Sequence, residues 1–239
     1  IEKNCAHIEE LVRNHSSDDI DLLCFPELCI SGYNFEKAII SDREALFFSE
    51  LASKYKIAIM AGINKKEGNQ HYDVACIWDE TGTLLGEYKK IHLWDKENDF
   101  FAKGEELVTV SFKGWTIGLL ICADFGFSEL AKSLALKKNA DVIMYPSAWN
   151  PGWDYLFSGC SSIRAAENQV YTVGLNRASG DVEYCGNTTV SNPDGTTLAR
   201  LCTSEESYTR VVLKKECLEK AKETIPWRLM RREEVYNKI

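Results

Sequence analysis

No apolar run in the 239-residue chain approaches the length of a membrane span, and its opening residues do not form a signal-peptide pattern. Long Lys/Arg blocks are missing and the net charge is -8, which argues against nucleic acid as a partner. His is scarce, with four residues and no H-x-x-x-H or H-E-x-x-H spacing, so a His-based metal site is not expected. Nine cysteines occur, yet none stands in a C-x-x-C pair. Several lie inside apolar runs, as in Leu22-Leu23-Cys24-Phe25. That is neither a zinc pattern nor a secreted disulfide framework, and it predicts reduced thiols in a cytoplasmic protein. No G-x-S-x-G, Walker loop or G-x-G-x-x-G is present, so a Ser hydrolase elbow and the common nucleotide sites are excluded. No cofactor is called for, and a membrane partner is not expected.

What is present is an ordinary soluble composition, 45% hydrophobic and 27% charged. The opening residues 1–12 read as an amphipathic helix, with Ile1, Cys5, Ile8, Leu11 and Val12 on one face. Strands are predicted at Ile20–Phe25, Ile57–Ile63, Tyr72–Trp78 and Leu84–Lys89, with a polar turn over Lys65–Asn69. Further strands are expected at Leu107–Phe112, Trp115–Ile121, Asp141–Tyr145, Val170–Leu175, Val182–Ser191, Thr196–Leu201 and Tyr208–Leu213. Helical patterns cover about 35–54, 128–138 and 153–168. Residues 90–104 form a long aromatic loop. Helices alternate with strands, but hairpins interrupt them, which fits a layered α/β protein with mixed sheets. One domain over residues 1–213 is expected. A charged tail, 214–239, must pack on that domain or on a partner subunit.

Three apolar strands run into a reactive side chain. Ile117 to Ile121 lead to Cys122, Phe25-Pro26 to Glu27, and Tyr88-Lys89 to Lys90. Glu97 lies seven residues after Lys90. Ligands of α/β folds bind at the carboxyl edge of strands, and a helix start after Cys122 would favour its thiolate. Taken singly, each residue also fits a structural role: a core thiol, a turn acid, a surface Lys, a loop charge.

Together these segments resemble the nitrilase superfamily of carbon–nitrogen hydrolases. Phe25-Pro26-Glu27-Leu28 with Ser31-Gly32-Tyr33 is similar to its first-acid motif, and Tyr88 to Leu93 to its lysine motif. Glu97 to Gly104 is similar to its second-acid segment, and Gly118 to Glu129 to its nucleophile strand. Asp141 to Trp149, Arg164-Ala165-Ala166-Glu167-Asn168, Asn176-Arg177 and Asn192-Pro193-Asp194-Gly195 resemble its later signatures. The resemblance implies a four-layer αββα sandwich with two mixed sheets, and a homodimer or higher homo-oligomer. It also implies a β-strand ahead of the first helix, a piece this chain is expected to lack, leaving a sheet edge exposed.

For the chemistry, the resemblance implies Cys122 as nucleophile, Glu27 as general base and Lys90, with the Ala123 backbone N–H, as oxyanion stabiliser. Glu97 would orient Lys90 or the leaving group. The expected reaction is hydrolysis of a C–N bond in a small amide or N-carbamoyl compound through a Cys thioester. Ala123 stands where amidase and carbamoylase branches often carry Tyr, and the Trp-Glu pair of true nitrilases is missing. The amidase-like branch is therefore expected over nitrile hydrolysis. A catalytically silent binding module is the alternative from another class. Tyr33, Ala123, Phe125 and Trp149, with Trp94, are candidate pocket walls. Arg164 and Glu167, one helical turn apart, are expected to form a supporting ion pair.

Overall fold

The computed structural model describes residues 1–35, 43–178, 183–202 and 205–236. Helix α1 (Glu2–His15) precedes β1 (Leu22–Cys24), α2 (Glu44–Tyr55), β2 (Ala58–Glu67), β3 (Gln70–Trp78) and β4 (Leu84–Lys89). A 3₁₀ turn, Asp95–Asp99, interrupts the long loop. Strands β5 (Val108–Phe112) and β6 (Trp115–Leu119) then form a hairpin, ahead of a second 3₁₀ turn, Cys122–Gly126. The second half holds α3 (Ser128–Lys137), β7 (Val142–Ser147), α4 (Asp154–Asn168), β8 (Tyr171–Asn176), β9 (Thr189–Ser191) and β10 (Thr197–Arg200). Three helices close the described chain: α5 (Lys215–Thr224), α6 (Trp227–Met230) and α7 (Glu233–Tyr236).

Two mixed sheets result, ordered β1-β2-β3-β4 and β10-β9-β8-β7-β6-β5. Pairs β1/β2, β6/β7 and β7/β8 are parallel and the others antiparallel. The period-two alternation of strand side chains builds the layers. On β2 and β3, Ala58, Met60, Ala75 and Ile77 meet Val110, Leu119, Met144 and Val173 of the other sheet. The alternate residues, Ile59, Ile63, Cys76 and Trp78, pack outward on Val12, Phe48 and Leu51 of α1 and α2. On the far side, α3 and α4 cover the large sheet. Gly118 leaves room there for Leu134, which a Cβ would meet at 3.0 Å. The order is helix, sheet, sheet, helix, the αββα sandwich expected.

Several boundaries depart from the sequence reading. Strand β2 runs through Lys65–Glu67, and the turn shrinks to Gly68-Asn69. Cross-strand ion pairs, Lys65 to Glu87 at 2.5 Å and Lys89 to Glu67 at 2.6 Å, let these polar residues stay paired. No strand forms over Tyr208–Leu213; Val211 and Leu213 still pack on the core, while Val212 faces solvent. Strand β9 is three residues long where ten were expected, and Val182 lies outside the described residues. Residues 36–42 of the expected helix over 35–54 also lie outside them. Among the described residues β1 pairs only with β2, and a cavity of about 1460 Å³ opens beside it between the sheets. The tail docks through buried Leu218 and Ala221. The Gln169 side chain donates to the Ala221 carbonyl at 3.0 Å, and Arg228 donates to that of Ala135, also at 3.0 Å.

Candidate active site

The loops after β1, β4 and β6 converge at the carboxyl ends of the parallel strands, where the end of each backbone ladder opens a crevice. The first carries Glu27, the second Lys90 and Glu97, and the third Cys122. Lys90 Nζ lies 2.6 Å from Glu27 Oε1 and 2.8 Å from Glu97 Oε2. All three side chains are buried. A buried ammonium needs such partners, because an unpaired charge would shed its proton. Burial alone would push the Lys90 amine down; the surrounding carboxylates outweigh it and hold Lys90 as ammonium, well above its ordinary value.

The three segments are braced by contacts that the motifs alone do not announce. Arg177 donates to the backbone carbonyls of Glu27 (3.2 Å) and Leu28 (2.8 Å), fixing the acid turn. Buried Asp124 ties the lysine segment to the nucleophile turn. It accepts from Tyr88 Oη at 2.7 Å, from the Ile121 N–H at 3.0 Å and from the His92 backbone N–H at 3.2 Å. Arg164 Nε donates to the Phe125 carbonyl at 3.1 Å and the same guanidinium pairs with Glu167 at 3.1 Å, the supporting ion pair expected. Glu97 also accepts from Tyr33 Oη at 3.0 Å and from the Trp94 N–H at 2.8 Å.

Backbone geometry is forced at the same places. Cys122 (φ 45°), Leu28 next to Glu27 (φ 44°) and Asp95 two residues before Glu97 (φ 45°) are non-glycine residues in the left-handed region. Such strain persists where surrounding contacts over-determine it. Two glycines permit close approach. A Cβ on Gly62 would sit 2.5 Å from Glu27 Cα, and one on Gly104 would sit 2.1 Å from the Lys89 carbonyl oxygen.

Cys122 is buried, and its thiol feels Glu27, Lys90 and Glu97. Burial pushes it well above the ordinary thiol value, and the Glu27 and Glu97 charges push the same way. Lys90 and the Ala148 backbone pull it back without prevailing. The resting group is therefore the thiol, contrary to the thiolate expected from a helix start. The chain leaves Cys122 in a 3₁₀ turn rather than an α-helix, and α3 begins only at Ser128.

Of the expected pocket residues, Tyr33 reaches the cluster through Glu97. Ala123 stands next to the thiol in the chain and is half-buried. Trp149 stands at the end of β7, its N–H donating to Asn176 Oδ1 at 2.7 Å. Its ring meets Trp153 at 6.0 Å, which in turn meets Trp94 at 5.6 Å, forming an aromatic rim. Phe125 is not brought there. Its ring is fully buried, stacked on Tyr145 at 3.6 Å and edge-on to Phe157 of α4. The turn after Cys122 rotates it into the helix-facing core.

Sequence reasoning missed Asp73 altogether. It is fully buried, its Oδ2 is 3.4 Å from Lys90 Nζ, and its backbone carbonyl accepts the Lys90 N–H at 2.9 Å. The parity of β3 could have found it, since Asp73 shares the inward face of Ala75 and Ile77. Glu27, Asp73 and Glu97 come close enough to grip a cation, and the Lys90 ammonium occupies that position.

Comparisons with known proteins bear on the family and the fold. A nitrilase of Pyrococcus abyssi is 32% identical over 217 residues, covering 86% of this chain and 81% of that protein. An omega-amidase of Homo sapiens is 31% identical over 207 residues, covering 79% and 72%. The crystal structure of Saccharomyces cerevisiae Nit3, a member of branch 10 of the nitrilase superfamily, superposes with a TM-score of 0.83 at 26% identity, covering 94% of this chain and 87% of that one. The carbon–nitrogen hydrolase family model matches residues 1–220, and the chain belongs to that family.

Proposed function

We propose that this carbon–nitrogen hydrolase cleaves the C–N bond of a small amide or N-carbamoyl compound through a thioester on Cys122. One observation carries the reading: a buried ammonium, Lys90, held between Glu27 and Glu97 in the field of a buried thiol. Because the resting group is the thiol, a base must take its proton, and among the described residues no donor reaches one oxygen of Glu27, Oε2. Glu27 takes the proton as Cys122 Sγ attacks the carbonyl carbon. The carbonyl oxygen becomes an oxyanion facing Lys90 and the Ala123 N–H. Glu27 returns the proton to the nitrogen, the C–N bond breaks and ammonia or an amine leaves. Water then adds to the thioester with Glu27 again as base, and the acid departs with the thiol restored. Glu97 and Tyr33 keep Lys90 in place throughout.

The omega-amidase relatives favour ω-amides as the substrate class, and the relative called a nitrilase makes nitriles the contrasting arm. An ammonia-release screen over linear amides, ω-amides, carbamoyl amines and nitriles separates them. Turnover of amides, with an acyl adduct found by mass spectrometry on Cys122 alone among the nine cysteines, is the expected result. Ammonia release that survives Cys122→Ala refutes the mechanism. No release from any class would favour a silent binding module.

A further inference from the structure

We infer that Asp73 is a positioning residue of this site: its carboxyl holds a proton at neutral pH and donates it to Glu27, while its other oxygen faces the Lys90 ammonium. This rests on Glu27 being the base proposed above. Three geometric facts carry it. First, Asp73 is fully buried on the inward face of β3, and neither carboxyl oxygen accepts a hydrogen bond from any described residue. Lys90 Nζ stands at 3.4 Å, beyond the 2.6 and 2.8 Å that the same atom keeps to Glu27 and Glu97. Second, Glu27 Oε2 is equally buried and accepts from no described donor, and of its two lone pairs one can take the Asp73 proton while the other stays open to the thiol. Third, oxygens of Glu27, Asp73 and Glu97 all lie within 4.8 Å of one another.

Two neighbouring buried carboxyls, each with an oxygen that lacks a donor, are both satisfied by one shared proton. Carboxylates this close cannot all ionise without strong repulsion. The charged and titratable groups facing Asp73 are Glu27 after β1, Lys90 after β4, and Glu97 and Tyr33 from the covering loops, with Cys122 after β6 facing Glu27, Lys90 and Glu97 in turn. With every acid ionised, three negative charges would surround one ammonium. The shared proton leaves two. Burial first, and the Glu27 and Glu97 charges with it, favour the protonated form of Asp73 against the pull of Lys90.

The proton belongs on Asp73 rather than Glu27 because the ammonium sits closer to Glu27. Asp73 also holds both ends of Lys90, accepting its backbone N–H at 2.9 Å while facing its Nζ. The consequence for turnover is directional. A hydrogen bond from Asp73 fixes the plane of the Glu27 carboxylate towards the thiol. Loss of that proton at high pH frees Glu27 to rotate and adds a negative charge beside the developing oxyanion, so the rate falls.

The test reads the proton directly. Infrared spectra at neutral pH should show a protonated-carboxyl stretch that disappears in Asp73→Asn. The background is Glu44→Gln, because Glu44 is a buried acid outside the site that is pushed up to about 7; Glu97 is raised too, and the isotope label tells its band from that of Asp73. In otherwise unaltered protein, carboxyl-¹³C aspartate should shift the same band, which keeps the test available if the variant does not fold. Absence of any aspartate-derived protonated band overturns the proposal, whether or not the protein turns over amides. In the kinetic arm, Asp73→Leu lowers kcat by about 10–100-fold with KM little changed. Asp73→Asn, whose amide still donates to Glu27, recovers most of that loss and moves the alkaline limb of the kcat/KM profile upward. An Asn variant as slow as Leu, or an alkaline limb that does not move, also overturns it.

Discussion

Replacing Lys90 by methionine keeps the volume of the side chain and removes the charge at the centre of the site. Three carboxyl groups then face one another without a cation, at positions now 2.6, 2.8 and 3.4 Å from Nζ and sealed from water. Removing one partner of a buried ion pair typically destabilises by about 3–5 kcal/mol. That figure should appear only where the acids are charged. Asp73 and Glu97 are already raised by burial and by the Glu27 charge, and Lys90 opposes the rise in both. Without Lys90 they rise further, so the native variant holds protons that the unfolded chain has released. Stability of the variant therefore falls as pH increases above the unfolded carboxyl range. In the native protein Lys90 remains an ammonium throughout, so it adds no slope of its own between these limits. Urea unfolding of both proteins at about pH 5 and about pH 8 measures the effect, with midpoints compared at a common slope. The stability gap should be several kcal/mol at the higher pH and clearly smaller at the lower. Ammonia release should fall by at least about 10²–10³-fold, the loss of one oxyanion donor. A gap that is the same at both pH values, or below about 1 kcal/mol at the higher one, would refute the account of Lys90 as the counter-charge of a buried acid cluster.

Two further variants probe the frame around the site. Gly62→Ala places a Cβ 2.5 Å from Glu27 Cα and 2.9 Å from the Pro26 carbonyl oxygen, so the acid turn must shift. It should lose about 1–3 kcal/mol of stability but about 10²-fold in kcat, and retention of full turnover would show that the turn's position is not critical. Glu44 is buried, with Oε2 accepting the Asn64 N–H at 2.9 Å, and burial pushes its carboxyl from 4.5 up to about 7. Between those values the native state keeps a proton that the unfolded state has lost, so stability declines with rising pH by about 3 kcal/mol in total. Glu44→Gln should flatten that decline in a melting-temperature series and be the more stable protein at pH 8. Parallel curves would place the slope elsewhere.

The sequence pattern marks which face of a strand is apolar, but not whether a sheet edge waits for it. Leu84–Lys89 is found as a strand with the expected ends, because a tight turn on one side and β3 on the other define it. Tyr208–Leu213 has the same alternation, and Val211 and Leu213 do pack inward while Val212 points out, yet no described strand pairs with it. Periodicity recorded burial correctly and pairing wrongly. The site divides in the same way. Glu27, Lys90, Glu97 and Cys122 each stand in a local motif, so the chain order alone brings them to notice. Asp124, Arg177 and Trp153 act across segments 32 to 150 residues apart or through a ring contact, as in Arg177 to the Glu27 carbonyl. No local pattern announces such distances.

Asp73 is the instructive intermediate case. Its strand parity was readable, and an acid on the inward face of a strand demands a partner. What could not be read was which partner, because Lys90 reaches it only through the β3/β4 register, Val74 opposite Lys89. That register sets Asp73 against the backbone of Lys90, and the backbone contact in turn brings the two side chains together. A one-residue slip would turn Asp73 to the outer face, against α2, and strip the ammonium of its third acid. The charge balance of the site is thus fixed by a strand pairing, and substitutions that loosen the β3/β4 ladder should change the pH dependence of turnover before they unfold the protein.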